Sequence, residues 1–176
     1  MKQNKAIKLA YLAGTIDSDG CITIKKLIRH SYKGGKSPAY TLQISINSPD
    51  GRIIDWCYGA FGGSVYKCKP YGFKMNGEPK MEVLRWQIIG NPAAQICKKL
   101  IPFLRYKKNQ AEEGWRFQCL FNKQNKNLPY RWGRMTEYEL EQREKSYQRL
   151  KDLKKIFIPS AVVETKRDES SKDDKR

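Results

Sequence analysis

Acidic residues are scarce in the first part of this chain: only Asp17, Asp19, Asp50 and Asp55 precede Glu78. Histidine is scarcer still, with His30 alone. The five cysteines (Cys21, Cys57, Cys68, Cys97, Cys119) are odd in number and form no CxxC pair. Zinc-site spacing is therefore excluded, and the cysteines read as small apolar residues of a chain kept in an intracellular, reducing compartment, whether cytoplasm, nucleoid or organelle. No apolar run approaches the ~18 residues of a membrane span, and Met1–Lys8 lacks the apolar core of a signal peptide. Neither a membrane nor a small-molecule cofactor is expected as a partner.

What the chain has in excess is positive charge. It carries 35 Lys and Arg against 18 Asp and Glu, a net charge of +17. The surplus is uneven, because Ser160–Arg176 holds five basic and five acidic residues and is neutral. A surplus concentrated in residues 1–159 implies a polyanionic partner, nucleic acid first. Two of the four early acids lie two positions apart, at Asp17 and Asp19. A basic surface that keeps an acid in its middle needs it for a metal ion. At 176 residues the expectation is one domain over 1–159, followed by a polar, disordered tail over 160–176.

Lys8–Gly20 (KLAYLAGTIDSDG) reads as a helix apolar on two faces. Leu9, Leu12 and Ile16 form a bulky stripe. Ala6, Ala10, Ala13, Gly14 and Asp17 form a stripe of small side chains that lets a second backbone approach closely. A helix of this kind is expected to be buried on both faces. Gly20 suits the left-handed position past a helix end. Asp19 sits against the negative end of the helix dipole, an unfavourable place that a bound cation would turn favourable.

Beyond Gly20 the pattern alternates. In Cys21–Arg29, Ile22, Ile24 and Ile28 point one way and Thr23, Lys25 and Arg29 the other, with Leu27 an apolar intruder. In Tyr40–Asn47, Tyr40, Leu42, Ile44 and Ile46 oppose Thr41, Gln43, Ser45 and Asn47. The two strands predict a hairpin whose polar face offers the donors and acceptors that read base edges, although a merely solvated face would also be polar. A helix over Ile53–Phe61 ends in Phe61-Gly-Gly63, and Ser64–Met75 with Met81–Gly90 predicts a second hairpin. In its second strand Leu84, Trp86 and Ile88 face inward, Arg85 and Gln87 outward. The first strand leaves two registers open: Val65 in the core, with Lys67 on its own face, or a bulge at the glycines sending Tyr66 and Cys68 toward the ligand. Lys67 and Lys69 are the basic candidates there. Asn91–Leu100, Ala111–Phe121 and Thr136–Ile156 read as helices, with a loop over Asn122–Gly133.

Leu12–Gly20, LAGTIDSDG, resembles the motif of the LAGLIDADG homing endonucleases at Leu12, Ala13, Gly14, Ile16, Asp17, Asp19 and Gly20, departing at Thr15 and Ser18. The helix, Phe61-Gly-Gly63 and strand that follow resemble the family too. So does Pro102–Ala111, in which a loop delivers a lysine before the next helix. The resemblance implies an α+β fold of order αββαββα, with a curved antiparallel DNA-binding sheet and additional C-terminal helices. It also implies a site-specific, divalent-metal-dependent endonuclease using Mg2+ or Mn2+ on double-stranded DNA. With one motif and no internal repeat, the chain is expected to pair with a second copy about a two-fold axis through Ala10, Ala13, Gly14 and Asp17. A pseudo-palindromic target of roughly 20 bp follows.

By the same resemblance Asp19 is the metal ligand, helped by the backbone carbonyl of Ser18. Lys107 stabilises the phosphate or orders the water, with Lys108 the competing choice and a plain phosphate contact the blander role. Asn47, or Ser48, places the water. Arg52 matches a basic residue a few positions later, and Asp17 caps the partner helix. Two rivals stand: a non-cleaving RNA maturase or DNA-binding protein of the same fold, and a basic RNA-binding or ribosomal protein with a chance motif.

Overall fold

The computed structural model of the chain describes residues 4–30, 36–68, 82–125 and 136–155. Helix α1 (Lys5–Asp19) starts where the Asn4 side chain accepts the Ala6 N–H at 3.0 Å. It buries Leu9, Leu12, Ala13 and Ile16, leaving Ala6, Ile7, Ala10, Tyr11 and Gly14 exposed. Among the described residues only one face is covered. Ala13 belongs to that covered face, not to the open one with Ala10 and Gly14.

Gly20 does not take the left-handed position. Its backbone is extended (φ −80°, ψ 165°), and its N–H closes on the carbonyls of Ile16 and Thr15. Glycine is required by proximity instead: a Cβ there would lie 2.5 Å from Ile16 Cα. The helix thus runs straight into strand β1 (Gly20–His30), which pairs antiparallel with β2 (Lys36–Ser48), Ile22 opposite Ile44 and Ile24 opposite Leu42.

Helix α2 (Gly51–Phe61) is capped by Asp50. It ends at Gly62 (φ +69°), whose carbonyl accepts the Trp86 indole N–H at 2.6 Å. Gly63 (φ +99°) follows, where a Cβ would lie 2.5 Å from Gln87 O, so two glycines are needed to turn the chain here. Strand β3 (Ser64–Cys68) then pairs with β4 (Val83–Ile89), and the four strands stand in the order β1-β2-β4-β3, every pair antiparallel. Val65 lies opposite Trp86 and Tyr66 opposite Arg85. Directly opposed residues share a face. Val65 and Lys67 are therefore on the helix side, and Tyr66 and Cys68 on the other.

Helices α3 (Gly90–Leu100), α4 (Lys108–Asn125) and α5 (Glu137–Lys155) complete the order α1-β1-β2-α2-β3-β4-α3-α4-α5. This is the expected α+β arrangement with two further helices. The core lies between one sheet face and the helices, around Ile22, Leu42, Ile44, Ile46, Trp86, Leu12 and Ile16, all buried. Each such side chain contributes about 1.5–3 kcal/mol by burial. Helix α4 runs to Asn125, into the stretch expected as loop from Asn122; the rest of that loop, Lys69 and the 160–176 tail lie outside the described residues. At the far end of β1, Leu27 and Ile28 are both exposed, because the strand extends past the core. Helix α5 opens with a reciprocal cap: Glu139 N–H donates to Thr136 Oγ1 at 3.2 Å and Thr136 N–H to Glu139 Oε2 at 2.9 Å.

Candidate active site at the end of the first helix

A helix end leaves its last carbonyls without intrahelical donors. At the end of α1 they converge on one ammonium. Lys107 Nζ donates to Ile16 O (2.6 Å), Asp17 O (3.1 Å) and Gly20 O (2.8 Å), and lies 3.5 Å from Ser18 O. A cation here complements the helix dipole. Lys108 is the first residue of α4 and exposed, so of the two candidates Lys107 is the one at this position.

Asp17 brings it there. Its carboxylate accepts the backbone N–H of Arg105 on Oδ2 (2.7 Å) and of Lys107 on Oδ1 (2.9 Å), pinning the turn between α3 and α4 against α1. Asp17 is thus engaged within its own chain. Burial pushes the Lys107 amine below its ordinary pKa, while the charges of Asp17, Cys21 and Asp19 oppose that shift.

Asp19, the last residue of α1, is exposed. Its Oδ2 lies 3.2 Å from Ser18 Oγ, and among the described residues no cation pairs with it. The Ser18 hydroxyl also turns back to Thr15 O (3.1 Å), and Thr15 Oγ1 donates to Tyr11 O (3.0 Å). Both departures from the motif are therefore absorbed by the helix itself. Among the described residues no three His, Cys, Asp or Glu side chains gather as a metal site. Asp19 with the Ser18 carbonyl, the one Lys107 holds least closely, is an oxygen donor set that fits part of a divalent cation's shell. Water, phosphate or a second chain must supply the remainder.

Asn47 stands at the exposed end of β2, where its Oδ1 accepts Arg85 Nε at 2.6 Å, and among the described residues its amide NH2 has no acceptor. Arg52 is elsewhere. Its guanidinium is held by Asp50 (Nη2–Oδ2 2.6 Å), whose carboxyl it lowers to about 2, beside a hollow lined by Ile7, Lys8, Tyr11, Ile53 and Trp56. Tyr11 is eight residues from Asp19, roughly 12 Å along the helix. Arg52 consequently does not join Lys107 in this chain.

The sheet face away from the helices carries Thr23, Lys25 and Arg29 on β1, Thr41, Gln43, Ser45 and Asn47 on β2, and Arg85 and Gln87 on β4. Lys25 and Arg29 are open, whereas Gln43 (3% exposed) and Ser45 (8%) are buried in mid-sheet rather than displayed. Lys67 is absent from this face. It points to the helix side and stands 3.7 Å from Glu82. Tyr66 takes the position instead, donating its hydroxyl to Gln87 Oε1 at 2.7 Å with the Arg85 guanidinium 5.9 Å from its ring centre. Trp86 faces the core, so Val65, paired opposite it, does as well.

No protein-family model matches the chain, and no curated protein does. Solved structures do. The archaeal intron-encoded homing endonuclease I-Vdi141I, complexed with DNA, superposes at a TM-score of 0.61 with 13% identity over 85% of this chain and 86% of that one. The homing endonuclease I-CvuI, in complex with the I-CreI target in the presence of Mg, gives 0.52 with 17% identity over 81% and 95%. The LAGLIDADG homing endonuclease I-LtrWI, bound to target DNA, gives 0.52 with 15% identity over 85% of this chain and 45% of its own. At these identities the likeness is one of architecture, and the chain has the fold of the LAGLIDADG homing endonucleases.

Proposed function

We propose that the chain is a site-specific, divalent-metal-dependent endonuclease of double-stranded DNA that acts as a homodimer. The observation that carries this reading is the pairing, at one helix end, of an exposed carboxylate without a counter-ion among the described residues (Asp19) and a lysine (Lys107), on the fold of homing endonucleases solved with DNA. The net charge of +17 and the polar sheet face support a duplex partner. The face of α1 bearing Ala6, Ala10 and Gly14 supports the dimer: it is open, and a Cβ on Gly14 would meet nothing within 4 Å.

Asp19 and the Ser18 carbonyl hold the metal, Mg2+ or Mn2+. When bound, it supplies activation of water and charge stabilisation at the leaving oxygen. Lys107 turns its ammonium from the helix carbonyls to a phosphate oxygen or the attacking water. Asn47 orients water through its amide NH2, and Arg52 acts only if the partner chain brings the reacting phosphate to it. Lys25, Arg29, Arg85 and Gln87 read or grip the duplex in each half-site.

One observation favours the non-cleaving alternative, a maturase or DNA-binding protein of the same fold. Lys107 is engaged by the carbonyls of Ile16, Asp17 and Gly20, which is also what a purely structural cap would look like. Incubating a randomised duplex library with the protein and Mg2+, and sequencing the cut ends, separates the two. Paired, pseudo-palindromic ends support the proposal. Retained but uncut duplex under Mg2+ and Mn2+ supports the alternative, and sedimentation tests the dimer.

A further inference from the structure

Helix α5 lies beyond the stretch that carries the motif, yet it reaches the candidate site. Its inner face is fixed at two points. Glu144 binds Lys26 (2.6 Å) and the Tyr40 hydroxyl, and further along the helix Leu150 is buried. One helical turn past Leu150 the same face delivers Lys154. Its Nζ lies 3.3 Å from the Cys21 sulfur, at the start of β1 and directly after the motif.

That position is unusual for an ammonium. A thiol is a weak acceptor, and among the described residues Lys154 has no carboxylate partner. Lys154 and Lys107 line one cavity of about 300 Å3, together with Ser18, Cys21 and Gln110. Asp17 lines it too, its carboxylate accepting two backbone N–H groups and its charge offsetting one of the two ammonium groups. Two half-buried ammonium groups thus share a cavity with one carboxylate beside the end of α1, a net positive lining that suits an anion.

We infer that Lys154 is a DNA-phosphate ligand of the candidate active site, and that α5 with Lys107 forms an anion cavity for a backbone phosphate of the strand seated at the end of α1. This rests on the reading of the chain as a duplex-DNA endonuclease. The cation comes from a helix 133 residues away in sequence from the strand it meets.

The test uses the full chain and a duplex recovered from the library selection, with Ca2+ replacing Mg2+ to hold the uncut complex. Affinity is measured against salt for the wild type, Lys154→Ala, Lys154→Arg and Lys155→Ala. Each phosphate that a variant no longer neutralises makes the log–log salt slope shallower by about 0.9. Lys154→Ala is expected to release one phosphate per chain, Lys154→Arg to keep it, and Lys155→Ala, which removes an exposed lysine paired with Asp152, to match the wild type. Thermal melts of all four proteins identify a folding defect, and Lys154→Arg then carries the comparison through its retained slope. A Lys154→Ala slope equal to wild type in a folded protein overturns the inference, as does an equal change in Lys155→Ala. If the wild type itself recovers no duplex, the endonuclease reading fails first and takes this one with it.

Discussion

The carboxylate of Asp17 holds the backbone N–H groups of Lys107 and Arg105, so the first acid of the motif positions the lysine that covers the helix end beside the second. Removing it leaves two backbone donors without their charged acceptor, a loss of about 1.5–3 kcal/mol per hydrogen bond to a charged group. In a protein that cleaves, Asp17→Ala should lower single-turnover cleavage by at least about tenfold, or ~1.4 kcal/mol of barrier, while duplex affinity in Ca2+ changes little. Parallel loss of affinity and rate would instead mean that the whole fold, and not the lysine alone, depends on Asp17.

The motif's two glycines should behave oppositely. A Cβ at Gly20 would lie 2.5 Å from Ile16 Cα, whereas one at Gly14 meets open space. Gly20→Ala is expected to destabilise the fold by about 1–3 kcal/mol, as overpacking does. Gly14→Ala should stabilise the isolated protomer by about 0.5–1 kcal/mol through helix propensity, yet weaken the dimer by filling the open face. Denaturant melts at low concentration give the first two numbers, and sedimentation velocity gives the third. An unchanged dimer in Gly14→Leu would place the interface elsewhere.

Acid sensitivity should centre on Glu144. Lys26 and then the Tyr40 hydroxyl hold its carboxyl at about 2, below the ordinary 4.5. A depressed carboxylate contributes stability that is complete above the unfolded value and lost as pH falls toward the folded one. The docking of α5 on β1 should therefore weaken between pH 4.5 and about 2. Glu144→Gln should be less stable at neutral pH and show a flatter acid limb over that window in urea titrations. An unchanged acid limb would mean other carboxylates govern it.

Strand β3 offers a contrast between adjacent residues. Tyr66 shares the polar face with Arg85 and Gln87, whereas Lys67 faces the helix side. Tyr66→Ala should reduce discrimination between target and non-target duplex, by about 1–3 kcal/mol if its support of a base-reading side chain is lost. Lys67→Ala should leave discrimination as it was. Competition binding with both variants reads this directly, and the reverse outcome would restore the alternative register.

Much of this fold is legible in the residues. Alternation placed Leu42, Ile44, Ile46, Trp86 and Ile88 on the core side, and the spacing of Leu9, Leu12 and Ile16 placed the inner face of α1. Strand β3 was not legible, because five residues after two glycines admit either phase and only pairing with Trp86 decides. Gln43 and Ser45 alternate as exposed residues should, but central strands shield short polar side chains through their neighbours. At the site, Asp19 and Lys107 could be nominated from the motif and its companion segment. The bond from Asp17 to the Lys107 backbone and the arrival of Lys154 are tertiary contacts that no local pattern encodes.

The most direct test is Asp19→Asn, which preserves size but removes the charge of the motif's exposed acid. A metal's contribution of several kcal/mol would disappear with it, so cleavage of the selected duplex in Mg2+ should fall by about a hundredfold or more. Affinity for the same duplex should be retained, since the phosphate and sheet contacts remain. Cleavage by Asp19→Asn at the wild-type rate would contradict the assignment of the metal to this helix end.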